Sequence, residues 1–229
     1  MLFLENPYLK EFETKIQNIE DNKIILDQTA FYAKSGGQPG DIGNLIIGEN
    51  QIDIFDTIYD ENKKIVHLCK DITNINFNKK IIGKINWKKR YKHMKMHSAL
   101  HLLCSIIPFG VTGGQISYEK SRLDFNADKK IEREEIEDNI NELVIQDHEI
   151  TYKWISNEEL DANPELIRTM SVKPPRTNDK IRLVQIGNID LQPCGGTHVK
   201  STKEIGEIKI GKIENKGKMN RRINILIND

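Results

Sequence analysis

Cysteine is scarce in this chain of 229 residues: three only, Cys69, Cys104 and Cys194, an odd number at wide spacing. That argues against a disulfide framework and for a reducing compartment. No run approaches the roughly eighteen consecutive apolar residues of a membrane-spanning helix. The opening residues, Met1 to Pro7, carry neither a basic stretch nor a long apolar segment, so no secretory signal is expected and a cytoplasmic protein is. Net charge is missing as well, 34 Lys and Arg against 34 Asp and Glu. Overall charge therefore does not mark a nucleic-acid binder. The distribution is more telling. From Lys200 to Arg222, eight basic residues face three Glu, a local net of +5. From Ile131 to Glu149, eight acidic residues face one Arg, a local net of −7. Such blocks suit one face for RNA and another for solvent, or simply two solvated surfaces.

What is present is a β-rich first third and a mixed remainder. Glu11–Ile16 alternates polar and apolar residues, the period of a half-buried strand. Lys23–Asp27, Asn44–Ile47, Gln51–Ile58, Lys64–Leu68 and Lys80–Ile85 read as further short strands, and a Gly-rich loop spans Ser35–Asp41. Evenly spaced short strands predict a small barrel. The character changes near Trp87. From Lys88 to Ile107 there is no Gly or Pro, and Pro108 ends the run, which predicts a helix of about five turns. A second, amphipathic helix is predicted over Lys129–Gln146, with Ile131, Ile136, Ile140, Leu143 and Val144 on one face. Strands return at Glu149–Trp154, Ile181–Ile186 and Glu207–Ile213, and Ile223–Ile227 is expected to close the sheet. A domain boundary is placed at Asn86, giving residues 1–86 and 87–229.

The chemistry sits in two short spacings. His97 and His101 are four apart on the first helix, which brings both rings to one face. Far downstream, Cys194-Gly195-Gly196-Thr197-His198 puts a thiol and an imidazole four residues apart around two glycines, a loop able to fold about an ion. One thiolate with several imidazoles suits tetrahedral Zn²⁺. Either half alone is a common, uninformative pattern. His93 lies on the same stripe as His97, and Cys104 leans to the face of His101, so either could replace a nominated ligand. The basic run Lys88–Lys92 suggests an exposed place for His93. Leu102, Leu103 and Ile106 suggest a core place for Cys104.

At this point the chain resembles the editing domain of alanyl-tRNA synthetase and its free-standing relatives, the AlaX trans-editing proteins, in their medium-length class. His97-Ser98-Ala99-Leu100-His101-Leu102-Leu103 is similar to the family's HxxxHLL helix, and Cys194–His198 to its CGGTH. Leu26–Tyr32 with Gly36–Asp41, Val111–Gln115 and Ser121–Phe125 carry the likeness over nearly the whole chain. The resemblance implies an α+β protein: a small N-terminal β-barrel, then an editing domain of the threonyl/alanyl-tRNA synthetase second-additional-domain type. It settles the ligands as His97, His101, Cys194 and His198, with one zinc per chain. It implies hydrolysis of the ester of Ser-tRNA(Ala), and often Gly-tRNA(Ala). The partner is the acceptor end of the mischarged tRNA, without DNA or membrane, and the protein is a monomer or weak dimer.

Alanine and serine differ by one hydroxyl, which a hydrophobic pocket rejects poorly, so a second site that hydrolyses mistakes is a usual remedy. The family places a threonine at Thr29 to meet that hydroxyl; a plain strand residue is the alternative. Gln38 and Gln115 are candidates to position water or the carbonyl, or else solvent-facing loop residues. Gly36, Gly37, Gly113 and Gly114 would let backbone N–H groups approach the substrate. Arg122 and Asp124 read as a bracing ion pair. Lys200, Lys209, Lys212, Lys216, Lys218, Arg221 and Arg222 would meet phosphates. Rival readings are a non-catalytic zinc-stabilised RNA-binding module, an editing domain for another aminoacyl-tRNA such as threonyl-tRNA, and a peptide-release role for the two Gly-Gly-Gln triplets.

Overall fold

The structure is a computed structural model that describes residues 1–70, 72, 80–129, 131–170 and 180–228. It is a mixed α+β protein, as the sequence predicts. Contacts divide it into two compact units, Met1–Lys92 and His93–Asp229.

In the first unit a short helix, α1 (Leu2–Glu5), precedes seven strands: β1 (Glu11–Thr14), β2 (Ile16–Glu20), β3 (Lys23–Leu26), β4 (Gly43–Ile47), β5 (Asn50–Tyr59), β6 (Ile65–Cys69) and β7 (Ile81–Ile85). They form one antiparallel sheet in the order β1-β7-β4-β5-β6-β3-β2. The outermost strands β1 and β2 are separated in sequence by Lys15 alone, so the sheet must curl to bring its edges together, a half-barrel. Alternation places Phe12, Ile24, Leu26, Leu45, Ile47, Ile52, Ile54 and Ile81 inside, with Phe31 from the loop after β3. The expected strand Glu11–Ile16 is split: β1 ends at Thr14, whose hydroxyl donates to the carboxylate of Asp27 (2.7 Å).

The helix α2 (Trp87–Ile106) starts where Asn86 accepts the N–H of Lys89 (3.1 Å), an N-cap contact. It ends two residues before Pro108, and Arg168 donates to its last carbonyls, those of Cys104 (2.8 Å) and Ile107 (2.9 Å). The unit division falls inside α2 because its first turn packs with the half-barrel: Arg90, fully buried, donates to both carboxylate oxygens of Asp41 and to the carbonyls of Pro7 and Ala30.

The second unit holds β8 (Val111–Gln115), β9 (Ser121–Asn126), α3 (Arg133–Ile145), β10 (Ile150–Ser156), α4 (Asn157–Ala162), β11 (Lys180–Ile186), β12 (Asp190–Pro193), β13 (Ile208–Asn215) and β14 (Asn220–Ile227). They build two antiparallel sheets, β10-β11-β12 and β13-β14-β9-β8. Helix α3 buries Ile136, Ile140 and Val144, part of the expected stripe; Lys130, inside the expected helical span, lies outside the described residues. Strand β14 does not close its sheet. It starts at Asn220 and runs between β13 and β9, because two segments with no assigned strand, β8 and β9, add to its far side. Thr112-Gly113-Gly114-Gln115 has no apolar alternation to announce a strand, and pairing with β9 supplies what propensity lacks. Among the described residues no helix is long and apolar enough to cross a membrane.

Candidate functional site

The second unit brings the two halves of the HxxxH and CxxxH pattern together. Ligand atoms of His97, His101, Cys194 and His198 all lie within 4.8 Å of one another. Helix α2 presents His97 and His101 one turn apart, their ring centroids 5.3 Å from each other. The loop after β12 delivers Cys194 and His198. The Sγ of Cys194 is 3.5 Å from Nε2 of His97 and 3.4 Å from Nε2 of His198. Zinc bonds of about 2.3 Å to sulfur and about 2.0–2.1 Å to nitrogen, at a tetrahedral angle, separate S and N by about 3.6 Å. Donor set and spacing both fit a zinc ion.

The protonation states of Cys194 and His198 fit as well. Burial pushes the Cys194 thiol up, but the neighbouring imidazoles of His97 and His198 and hydrogen bonds from His101 and His198 outweigh it, holding the group well below the usual thiol range. A thiolate results, the form that binds metal. Burial and the neighbouring His97 keep His198 well below the usual imidazole range, so its lone pair is available. Burial also lowers His101, yet hydrogen bonds to Asp190 and Cys194 raise it to about 10. Binding a cation among these groups displaces a proton from the cluster.

A supporting layer orients the ligands, and it was not legible in the sequence. Nδ1 of His101 is 3.0 Å from Asp190 Oδ2, which also accepts from the Gln192 amide (2.9 Å). A carboxylate at Nδ1 leaves Nε2 for the ion. Nδ1 of His198 meets Ser98 Oγ (3.1 Å), which also accepts the N–H of Val199 (3.3 Å). Arg182, buried and stacked 3.8 Å over the ring of Tyr152, donates to the carbonyls of Cys194 (3.1 Å) and Gly196 (2.8 Å) and holds the loop closed. Ser98 sits between the two histidines in sequence and could have been suspected. Nothing in the spacing of Asp190 or Arg182 marks them. We expect Asp190→Asn to weaken zinc binding by roughly 10–100-fold, read by competition with a chelator of known affinity. Unaltered affinity would remove Asp190 from the ligand-orienting role.

Neither alternative ligand joins the four converging donors. Cys104 is 5% exposed and packed in the core, and burial drives its thiol up to about 12, a form unsuited to metal. His93 is buried, not exposed as its basic neighbours suggest. In that turn α2 is covered on most sides, so sequence polarity misleads.

Gly36 and Gly37 have φ of +53° and +81° and form the tip of a two-residue hairpin closed by hydrogen bonds between Ser35 and Gln38. Positive φ at both central positions is the demand of a type I′ turn, met best by glycine. The tip is exposed, whereas Gln38 is 1% exposed, not a solvent-facing loop residue. Gly113 and Gly114 lie in the edge strand β8, and Gln115 is exposed at its end. Thr29 is buried, its hydroxyl 2.9 Å from Nε2 of His67. Asp124 takes two guanidinium groups, Arg122 (2.7 Å) and Arg222 (2.8 Å), so the brace is a triad. Burial opposes the charge on Asp124, but these bonds hold its carboxyl below the usual range. Arg221 donates to the carbonyls of Gly217 (3.0 Å) and Asp128 (2.9 Å). Lys209 pairs with Glu207, and Lys216 with Glu214 (2.8 Å). Lys200 is exposed, and so are Lys212 and Lys218 near the tip of the β13–β14 hairpin.

Residues 181–224 match the threonyl and alanyl tRNA synthetase second additional domain, and residues 3–89 match the class II (A) tRNA synthetases. The alanyl-tRNA editing protein AlaX-M of Saccharolobus solfataricus is 38% identical over 227 residues, covering 97% of this chain and 96% of that protein. The AlaX-M protein of Methanosarcina acetivorans is 35% identical, over 97% of this chain and 96% of its own length. The alanine–tRNA ligase of Pyrococcus abyssi is 33% identical over 93% of this chain, which corresponds to 24% of the ligase.

Proposed function

The chain belongs to the AlaX-M family of alanyl-tRNA editing proteins, and from that premise we propose that it hydrolyses the ester of Ser-tRNA(Ala), and of Gly-tRNA(Ala), at a zinc-dependent site. One observation carries the reading: three imidazoles and one thiolate converge within 4.8 Å in a spacing that fits tetrahedral zinc. His97, His101, Cys194 and His198 would hold the ion, and a bound zinc would supply positive charge to the oxygen on which negative charge develops. Thr29 meets the serine hydroxyl. The exposed Gly36-Gly37 tip and the strand segment Gly113-Gly114 offer backbone N–H groups to the aminoacyl end. Gln38 and Gln115 position the attacking water or the carbonyl. Lys212 and Lys218 meet acceptor-stem phosphates and place the RNA without reading its sequence. Arg221 and Arg222 keep the hairpin and Asp124 in register and add to the same positive field. The names of the relatives support the alanine branch over threonyl-tRNA and over peptide release.

A second reading keeps one supporting observation. Four protein donors make a closed coordination set, the pattern of structural rather than catalytic zinc. In that reading the ion shapes an RNA-binding module that does no chemistry.

One assay separates the two. Purified zinc-loaded protein is given Ser-, Gly- and Ala-tRNA(Ala), and the loss of each ester is timed against buffer. The expected result is seryl hydrolysis about 10–100-fold faster than alanyl hydrolysis, the range that one hydroxyl can support. Seryl loss at the spontaneous rate, with tRNA bound and zinc present, would leave the binding module as the function.

A further inference from the structure

We propose that His67 is a positioning residue that commits the hydroxyl proton of Thr29, so that Thr29 faces the aminoacyl side chain as a hydrogen-bond acceptor only. The proposal rests on the reading of Thr29 as the seryl contact and extends it to a residue with no counterpart among the motif positions.

His67 lies in β6 with no exposed surface. Its Nδ1 is 3.0 Å from the carbonyl oxygen of Ile24. A carbonyl can only accept, so Nδ1 carries a proton. Burial lowers the His67 imidazole to about 4, so near neutral pH the ring holds one proton and no more. Nε2 is therefore bare and can only accept. Its partner, 2.9 Å away, is Oγ1 of Thr29, which must donate. The ring of Phe31 stands edge-on to His67 at 5.3 Å and limits its rotation.

The hydroxyl of Thr29 has one proton and two lone pairs. The proton goes to His67. One lone pair accepts the N–H of Phe31 at 3.1 Å. Among the described residues the other lone pair has no partner. What Thr29 can offer a substrate is thus a single acceptor of fixed direction. A serine hydroxyl, which donates, satisfies it. The methyl of alanine and the hydrogen of glycine leave it unsatisfied. A threonine free to turn its proton outward would bond donors and acceptors alike, water included, and would discriminate less.

The tautomer can be tested on the native protein. Nitrogen chemical shifts of His67 should show Nδ1 protonated and Nε2 bare near neutral pH. A protonated Nε2 overturns the proposal, because Thr29 would then be the acceptor and its proton free. Kinetics supply the second test, with kcat and KM measured for the seryl and glycyl esters of tRNA(Ala). Thr29→Val and His67→Phe should each lower the seryl-to-glycyl ratio of kcat/KM by roughly three- to tenfold, with the seryl arm changing far more. The double variant should fall no further than Thr29→Val, since His67 acts through that hydroxyl. His67→Gln keeps an acceptor for Thr29 and a donor for Ile24, and should restore the ratio to within about threefold of the native value. If His67→Phe does not fold, the tautomer and His67→Gln decide: a Gln ratio no higher than that of Thr29→Val overturns the role. Equal losses on both substrates in His67→Phe reduce His67 to a core residue and overturn it too. A ratio that falls in Thr29→Val but stays native in His67→Phe removes His67 alone. A ratio unmoved by Thr29→Val removes the reading of Thr29 itself and takes this proposal with it.

Discussion

Replacing Cys194 with Ala should reduce bound zinc from one ion per chain to a small fraction and lower seryl-tRNA(Ala) hydrolysis by more than about a hundredfold. Apparent binding energies of four-ligand zinc sites are about 10–16 kcal/mol, so one ligand in four carries about 3–4 kcal/mol, or roughly a hundred- to a thousandfold in affinity. Cys194 should lie at the upper end. It supplies the only formal negative charge among the four donors and is held as a thiolate by the imidazoles around it. Its carbonyl would still accept from Arg182, so the loop keeps its anchor and the loss is one of charge rather than of folding. The measurement pairs metal analysis with initial rates at matched protein concentration. A variant that retains zinc but loses activity would move Cys194 from ligand to catalytic participant. One that keeps both would end the assignment of the cluster.

The second large effect lies far from the metal in sequence. Arg90→Met should destabilise the half-barrel by about 3–5 kcal/mol, the usual result of stripping a buried carboxylate of its partner. Arg90 is fully buried, and its donors go to both oxygens of Asp41 and to the carbonyls of Pro7 (2.9 Å) and Ala30 (2.6 Å). Asp41 also accepts the N–H of Tyr32 (2.6 Å), which ties the Gly-rich loop to the helix start. Methionine fills similar volume but satisfies none of these acceptors. At about 2–4 °C per kcal/mol for a protein of this size, the unfolding midpoint should fall by roughly 6–20 °C. Adding Asp41→Asn should restore part of the loss, because the orphaned charge goes with it. The near-ultraviolet signal of Trp87, stacked on Tyr91, reports this unit during heating or in urea. A midpoint within about 1 °C of native would show that water or neighbouring groups replace the guanidinium, contrary to its complete burial.

Periodicity and punctuation made much of the architecture readable. Helix α2 was announced by twenty residues without Gly or Pro and stopped by Pro108, and the half-barrel strands by alternation between turn residues. Strand β8 was not legible, because Gly113-Gly114 carries neither β-propensity nor alternation and the segment is a strand only through its neighbour; β9 was missed although Leu123 and Phe125 alternate with Arg122 and Asp124. The polarity of Lys88–Lys92 suggested exposure for His93, yet Arg90 in that run is fully buried, since burial is decided by what covers a helix and not by its composition. Local charge counts put Arg221 and Arg222 with the phosphate contacts; the structure adds that they also donate to Gly217, Asp128 and Asp124, which charge counts do not show.

By itself the sequence determined the donor types and their local spacing: two imidazoles one helical turn apart, a thiol and an imidazole around two glycines, and a pair of glycines demanding positive φ. Helix pitch and the absence of a side chain on glycine make these readable from neighbours in the chain. Only the tertiary structure decided that the two halves meet, that Asp190 and Ser98 stand against His101 and His198, and that the hydroxyl of Thr29 meets His67. Those pairings join residues 38 to 100 positions apart. Hydrogen bonds of that separation depend on how strands and helices pack, which no local spacing encodes.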